Sequence, residues 1–183
     1  NYTGEKGHEE LLYVFKRLPV PRATLISAGG ITPGIGCYDM FKAQAERINT
    51  SRKFIGKQAV IVDGSQRREV IDLLKMADLF LFFSNIECSP LVLFESSAAG
   101  VPFVASAAGN SGEIAKWMGG GVIVRTHGRP NGRVGADLKD ALIQTTKLAY
   151  NPLKRRVMGQ TAHRTWQKKF TWKKIAGDYI KLY

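Results

Sequence analysis

Two acidic residues, Glu87 and Glu95, stand eight positions apart in the stretch SNIECSPLVLFESSAAGVPFVAS, residues 84–106. The seven residues between them are uncharged and mostly apolar. Acidic side chains are rarely buried without a partner. Carboxylates accept hydrogen bonds, and hydroxyl groups are suitable donors. The spacing therefore suggests two carboxylates that hold the hydroxyl groups of one ligand.

The residues between the two acids predict the start of a helix at about Pro90. Proline suits the first helical position, because its missing N–H has no partner within the helix there. The N–H groups of Leu91 and Val92 would then point out of the helix start, where the helix dipole favours an anion such as phosphate. A carboxylate beside a diphosphate would be repelled, so both acids are expected to bind hydroxyls instead. A nucleotide sugar has phosphates in its middle and hydroxyls at both ends.

The N-terminal stretch NYTGEKGHEELL adds a positive charge. Gly4 and Gly7 bracket Lys6 just ahead of a predicted helix, from which the lysine could reach a phosphate as a compact charge. The spacing G-x-x-x-x-G-K-[ST] of a P-loop is absent, and no G-x-G-x-x-G follows a predicted strand. The sequence therefore indicates a phosphate site of a different kind.

Strand and helix patterns alternate along the chain, which predicts an α/β fold with a parallel sheet. Apolar runs predict strands, and helical periodicity with proline and glycine breaks predicts the helices. The predicted strands are 23–30, 57–64, 78–84, 101–106 and 121–124, and the helices between them are 8–18, 37–49, one after Ser65, one from 90, and 111–118. Ligands of such sheets bind at the carboxyl ends of the strands, here the loops 27–36, 62–66, 84–90 and 106–111.

The last third of the chain is predicted to be helical after a polar loop at 126–135. Three closing helices are expected near 136–149, 152–168 and 172–182. The pairs Asn151-Pro152 and Thr171-Trp172 are typical of helix starts. The aromatic residues at 166, 172, 179 and 183 are expected to pack the closing helices together.

Composition and charge limit the class of protein. The 183 residues suit one domain, and the absence of an 18-residue apolar run predicts no membrane-spanning helix. Two cysteines are too few for a disulfide scaffold and lack metal-site spacing. The net charge is +12, and residues 141–177 contain no acid. This basic block could meet an anionic membrane or nucleic acid, or it could be a solvated helix face or a face that meets an acidic partner domain. No motif for reading nucleic acid accompanies it.

Four segments in order resemble the C-terminal, donor-binding domain of a retaining glycosyltransferase with the two-domain GT-B architecture, of the family four type. EKGHEELL resembles that family's lysine–glycine motif, and ECSPLVLFESSAAGVPFVAS resembles its E-x7-E signature. NSGEIAKWMGGGVIV and FTWKKIAGDYIKLY resemble the segments that follow. The resemblance implies one Rossmann-like domain over 1–183, with a parallel sheet flanked by helices and closing helices from about 136. The chain begins without methionine, and the N-terminal acceptor domain is expected to lie outside it.

The resemblance also implies the roles of residues. Lys6 would neutralise the leaving diphosphate, and Glu87 would face the sugar hydroxyls, so these are the candidate catalytic residues. Glu95 would hold the ribose, and the base would stack near Val62 to Ser65. The other candidate donor-binding residues are Gly4, Ser89, Pro90, Leu91, Val92 and Asp63.

Lysine would replace the metal that other glycosyltransferases use, so neither a metal nor a cofactor is expected. The expected partners are a nucleotide sugar, the enzyme's own N-terminal domain and an anionic or membrane-linked acceptor. Nucleic acid is not expected. The expected location is the cytoplasm, with peripheral attachment to the inner membrane face. The isolated domain is expected to bind a hexosyl donor without transferring the sugar.

Two departures and two alternatives accompany this interpretation. The family usually has an arginine five or six residues before the lysine. The fifth residue before Lys6 is Asn1, and the sixth position lies before the first residue of this sequence. The sequence Cys88-Ser89-Pro90 stands where the family often has Gly-Phe-Gly. One alternative is a regulatory domain that binds nucleotides without catalysis. The other is a GT-B-like epimerase or phosphorylase.

Overall fold

The computed structural model describes residues 2–30, 36–64 and 66–182. Helices and strands alternate through the first two thirds of these residues, as the sequence predicts. The helices are α1 (His8–Arg17), α2 (Tyr38–Thr50), α3 (Arg67–Met76), α4 (Leu91–Ala98), α5 (Ser111–Met118), α6 (Leu138–Ala149), α7 (Pro152–Lys169) and α8 (Trp172–Ile180). The strands are β1 (Ala23–Gly29), β2 (Lys57–Asp63), β3 (Phe80–Phe82), β4 (Phe103–Ala105), β5 (Gly121–Ile123), β6 (Thr126–Gly128) and β7 (Val134–Ala136).

The first five strands pair in parallel, which confirms the predicted α/β class. Strand β1 pairs with β2, with Ala23 opposite Lys57 and Gly29 opposite Asp63. Strand β4 lies between β3 and β5 in a second group. A cleft of about 960 Å³ separates β1 from β3, and both α1 and α3 contribute side chains to its lining. Within the described residues, the parallel strands therefore form two hydrogen-bonded groups rather than one continuous sheet.

Helix α1 joins the two groups of strands. Its buried Leu12 and Phe15 pack in one apolar cluster with Leu25 of β1 and Phe41 of α2. Its Val14 lies in a second cluster, on the side of β3 and β4. The amphipathic pattern of α1 thus fixes the direction in which the preceding residues approach the strand ends.

The predicted polar loop at 126–135 is wrong, because this segment forms an antiparallel hairpin. Strands β6 and β7 pair with Thr126 opposite Ala136. Asn131 and Gly132 turn the chain with φ of 60° and 70°. Asn-Gly between two extended runs is a strong hairpin signal. Only three residues on each side pair, so the polar composition concealed the hairpin.

The three closing helices lie where they were predicted. The side chains of Asn151 and Thr171 accept hydrogen bonds from the N–H groups of Lys154 and Lys174, which confirms both helix starts. The expected packing of Trp172 and Tyr179 is wrong, because both are exposed. Trp166 does pack against the cluster around α4 and α5.

Two further details concern the predicted ligand loops. Pro90 precedes α4 as its N-cap, with φ of −73° and ψ of 98°, and so lies one position before the predicted first helical residue. Helix α3 begins at Arg67 after Gln66. The predicted N-cap Ser65 and part of the loop at 27–36 lie outside the described residues.

Candidate functional site

The turn that carries Lys6 lies directly against the end of β3. Residues Gly4–Lys6 form a short 3-10 helix, and Gly7 then turns the chain into α1 with φ of 70°. A Cβ atom on Gly7 would lie 2.0 Å from the carbonyl oxygen of Phe83. Glycine is therefore required at position 7, both by its left-handed conformation and by the close approach. Gly4, by contrast, faces open space.

Backbone hydrogen bonds fix this turn to the loop that follows β3. The carbonyl oxygen of Glu5 accepts a hydrogen bond of 2.7 Å from the N–H of Asn85 and one of 3.3 Å from the hydroxyl of Ser84. Ser84 and Asn85 are buried. Lys6 is consequently presented from a backbone that the strand end holds in place.

Lys6 forms an ion pair with Glu87. The Nζ atom of Lys6 lies 2.7 Å from Oε1 of Glu87, whose side chain is only 14% exposed. The loop that carries Glu87 packs against Gly109, where a Cβ atom would lie 2.5 Å from the Glu87 carbonyl oxygen. The N–H of Asn110 also donates to the carbonyl oxygen of Cys88. Sequence analysis placed a ligand loop at 106–111 but did not single out Gly109, whose left-handed φ is 55°.

The start of α4 completes this group. Leu91 and Val92 are the first two helical residues, so their N–H groups have no acceptor within the helix. Lysine, carboxylate and helix start together form a site that can bind an anion next to a hydroxyl group. Six of the predicted site residues line the cleft between β1 and β3: Lys6, Glu87, Ser89, Pro90, Leu91 and Val92.

Glu95 lies in the second turn of α4 and pairs with a residue that sequence reasoning missed. Its Oε1 atom is 2.9 Å from Nη2 of Arg67 at the start of α3. The Glu95 side chain is 31% exposed, and that of Arg67 is 73% exposed. Ion pairs this open to water contribute about 0–1 kcal/mol, so a ligand can displace Arg67 at little cost.

The remaining predicted site residues, Val62 and Asp63, do not line the cleft between β1 and β3. Val62 and Asp63 form the end of β2, opposite Ala28 and Gly29. Val62 is half-buried and Asp63 is exposed. They stand at the carboxyl edge of the strands, as predicted. Their role in holding a base stays a prediction.

The β6–β7 hairpin contacts the lysine turn and helix α1 through one arginine each. Arg133 forms an ion pair with Glu5, and Nη2 of Arg129 lies 3.0 Å from Oε1 of the buried Glu10. The N–H of Val134 donates to the carbonyl oxygen of Asn85. The hairpin thus holds both the Lys6 turn and the loop that leads to Glu87. No local sequence signal pairs Arg133 with Glu5 or Arg129 with Glu10, which stand 128 and 119 positions apart.

Comparison with known proteins identifies the family. The profile of the family described as glycosyl transferases group 1 matches residues 1–161. The chain belongs to this family. No curated protein sequence matches it significantly.

Solved structures with the same fold include three glycosyltransferase-related proteins. HepE from Anabaena, solved in complex with UDP and glucose, has a TM-score of 0.76 and 18% identity over 97% of this chain and 44% of its own. Sucrose-phosphate synthase from Thermosynechococcus elongatus has a TM-score of 0.75 and 20% identity over 100% of this chain and 42% of its own. The C-terminal domain of the group 1 protein LpcC from Francisella tularensis has a TM-score of 0.72 and 18% identity over 92% of this chain and 81% of its own.

These similarities establish the architecture. The fold is that of the C-terminal, Rossmann-like domain of a GT-B glycosyltransferase. The chain spans about two fifths of the length of full enzymes such as HepE and sucrose-phosphate synthase. No described helix of this glycosyltransferase domain is both long and apolar enough to cross a membrane.

Next to the lysine turn, His8 begins α1 among aromatic rings. Its ring stacks on Tyr2 at 4.8 Å and meets the edge of Phe41 at 5.5 Å. Burial lowers the pKa of His8 below its usual value, so the imidazole is neutral at pH 7. Its Nδ1 atom is buried without a hydrogen-bond partner in the described part of the chain. Lys6 is therefore the positive group of this turn.

The described residues of the domain contain no group of three or more His, Cys, Asp or Glu side chains that could hold a metal ion. The cation nearest to Glu87 in the cleft is the ammonium group of Lys6. Metal-independent chemistry nevertheless stays a prediction.

Proposed function

We propose that this domain binds a nucleotide-diphosphate sugar as the C-terminal half of a retaining glycosyltransferase, which transfers a hexosyl group to an acceptor. The observation that carries the proposal is the meeting of Lys6, Glu87 and the start of α4 at one cleft. A cationic group and free amides suit the diphosphate, and the carboxylate suits sugar hydroxyls. The similar HepE structures contain UDP with glucose, and UDP-glucose.

The proposed chemistry assigns one task to each group. When the bond between the anomeric carbon and the phosphate oxygen breaks, its electron pair leaves with the diphosphate. The hydroxyl oxygen of the acceptor forms the new bond to that carbon, and the hydroxyl proton passes to the departing diphosphate. The ammonium group of Lys6 and the N–H groups of Leu91 and Val92 stabilise the negative charge that develops there. Glu87 accepts hydrogen bonds from the sugar, and Glu95 accepts them from the ribose after Arg67 moves aside. No metal takes part in this scheme.

Acceptor binding and retention of configuration are proposed for the whole enzyme. An N-terminal domain would bind an anionic or membrane-linked acceptor, so the isolated domain would bind donor without transferring the sugar. Protein of full enzyme length should transfer hexose with the anomeric configuration unchanged, which NMR of the product can report. Nucleotide binding without any transfer by that protein would instead favour a regulatory domain.

Calorimetry on the 183-residue chain tests donor binding. Titration with UDP-, GDP- and ADP-sugars should give binding to at least one, in the millimolar range or tighter. Lys6→Met should weaken that binding about tenfold or more, because a charge-assisted hydrogen bond is lost. Lys53→Met is the matched control, because it removes the same charge at an exposed lysine that does not line the cleft. Absence of binding to every donor at millimolar concentration would refute the proposal.

The role of Glu95 can be separated from that of the sugar site. Glu95→Gln should weaken UDP and UDP-sugar by the same factor, since both ligands contain the ribose. A deoxyribose analogue should lose affinity for the wild type but not for the variant. If the variant and the wild type bind UDP with equal affinity, Glu95 does not bind the ribose.

The domain is further proposed to work in the cytoplasm, with peripheral attachment to the inner membrane face. The excess of basic residues over 141–177 supports such attachment.

A further inference from the structure

Asn85 joins the lysine turn to the β6–β7 hairpin through both its backbone and its side chain. Its N–H donates to the carbonyl oxygen of Glu5 at 2.7 Å, and its carbonyl oxygen accepts from the N–H of Val134 at 2.8 Å. In the amide orientation that pairs donors with acceptors, its side-chain nitrogen donates to the carbonyl oxygen of Val134 and its side-chain oxygen accepts from Nη1 of Arg129, both at 3.1 Å. Asn85 is only 5% exposed, so water competes little for these bonds.

Arg129 extends this link to the other side of Lys6. Its Nη2 atom lies 3.0 Å from Oε1 of Glu10, whose side chain is 9% exposed. Glu10 lies in the first turn of α1, whereas Asn85 holds the residue before Lys6. The arginine side chain passes over Gly135 of β7, where a Cβ atom would lie 2.4 Å from its Nε atom. One guanidinium group, with several N–H donors, therefore holds the lysine turn from both ends.

We propose that Arg129 and Asn85 are positioning residues that fix the place of Lys6 at the donor site. The inference rests on the proposed role of Lys6 in donor binding. The described residues that line the cleft include neither Arg129 nor Asn85, so both act through the backbone that carries the lysine. Nζ of Lys6 lies 2.7 Å from Glu87, and a shift of the turn by about 1 Å breaks a hydrogen bond of this length.

The test variant must keep the fold while it removes the link. Loss of Arg129 alone leaves Glu10 buried without a partner, which is strongly destabilising. Glu10→Met with Arg129→Met instead replaces the buried ion pair by apolar side chains of similar length, a change that is often neutral for stability. Asn85 still loses its side-chain bond to the hairpin arginine in this double variant.

Amide hydrogen exchange, followed by NMR on the 183-residue chain, tests the link without any ligand. The amide of Asn85 should exchange about tenfold faster in the double variant, because the loop that carries it opens more readily. Amides of α7 are the reference and should change less than about twofold. Unchanged exchange at Asn85 would overturn the proposal.

Calorimetry with a nucleotide sugar that the wild type binds tests the consequence for Lys6. The double variant should weaken binding about three- to tenfold, since the lysine is displaced but not removed. In a Lys6→Met background the same two substitutions should change affinity less than about twofold, because no lysine is left to position. A merely structural defect would weaken binding in both backgrounds, so equal losses would overturn the proposal.

Two further variants separate position from charge. Arg125→Met removes the same charge at a 73% exposed arginine just before β6, and it should change affinity less than about twofold. Arg129→Lys keeps the charge but replaces the planar fork by a single ammonium group, so it should still weaken binding about threefold or more. Full affinity of Arg129→Lys, or an equal loss in Arg125→Met, would overturn the proposal.

Failure of the proposed function gives a different result. If the wild type binds no nucleotide sugar, donor binding is refuted, and the exchange rate of the Asn85 amide alone then decides whether Arg129 holds the lysine turn.

Discussion

The substitution Gly7→Ala tests whether the end of β3 holds the turn that carries Lys6. The new Cβ atom would lie 2.0 Å from the carbonyl oxygen of Phe83 and 2.4 Å from its carbonyl carbon. Contacts of side-chain Cβ atoms essentially never fall below 3.0 Å, so the turn must withdraw by about 1 Å or more. The left-handed φ of 70° adds a strain of about 1–2 kcal/mol for alanine.

The withdrawal acts on two contacts of the turn. The hydrogen bond from the N–H of Asn85 to the carbonyl oxygen of Glu5, now 2.7 Å, would be stretched beyond bonding distance, at a cost of about 1 kcal/mol. Together with the strain, the free energy of unfolding should fall by about 2–3 kcal/mol. For a domain of this size the melting temperature should drop by roughly 4–12 °C. Lys6 would also move away from Glu87 and from the helix start.

Circular dichroism and calorimetry check both consequences. Thermal unfolding should show the lower midpoint, and affinity for whichever nucleotide sugar the wild type binds should fall about tenfold or more. Gly4→Ala is the stability control, because its Cβ would meet nothing within 4 Å, and its midpoint should match the wild type. A Gly7→Ala protein with unchanged midpoint and affinity would refute the argument that Phe83 positions the turn.

Three other substitutions test neighbouring features of the domain. Gly109→Ala should weaken UDP-glucose more than UDP in calorimetry, because its Cβ would displace the Glu87 carbonyl; equal losses would contradict this. Burial lowers the pKa of His8, so its favourable contribution to stability is present above about pH 6.5 and is lost as pH falls. The free energy of unfolding, measured with urea, should therefore change less between pH 7 and pH 5 in His8→Phe than in the wild type. Hydrogen bonding to the backbone N–H of Arg125 lowers the pKa of Asp140 below 3.8, so its stabilisation is present above that value and lost below it. Asp140→Asn should have a lower free energy of unfolding than the wild type at pH 7, and this difference should be smaller at pH 2.5. A difference that is the same at both pH values would show that the carboxylate of Asp140 does not stabilise the fold.

The alternation of strands and helices was predictable because each element has a local cause. The apolar run at 101–106 predicts strand β4, and the glycine after α5 predicts the end of that helix. The end of β3 was not predictable, because the apolar run continues through Phe83 into the site loop. There the N–H of Asn85 donates to the carbonyl oxygen of Glu5 rather than to a neighbouring strand. The single hydroxyl hydrogen of Ser84 is shared between the carbonyl oxygens of Glu5 and Ile86.

The pairing of charges could not be predicted from the sequence. Lys6 and Glu87 stand 81 positions apart, and Arg67 and Glu95 stand 28 apart. Each acid had several bases available in a chain of net charge +12. The partners are selected by tertiary packing, because the Lys6 turn is bonded to the loop after β3 and α3 lies against α4. The resemblance to the family's motifs assigned Lys6 and Glu87 to one ligand. Their direct contact was seen only in the structure.

That contact has a consequence for how the proposed donor would bind. A diphosphate that takes the ammonium group of Lys6 leaves Glu87 without its partner, and a largely buried carboxylate without a partner is unfavourable. Sugar hydroxyls can replace the lost hydrogen bonds, whereas UDP alone cannot. The wild type should therefore bind UDP-glucose more tightly than UDP. Glu87→Gln should reduce that preference by weakening UDP-glucose and strengthening UDP. If the variant weakens both ligands equally, Glu87 does not exchange its partner and the assigned sugar contact is wrong.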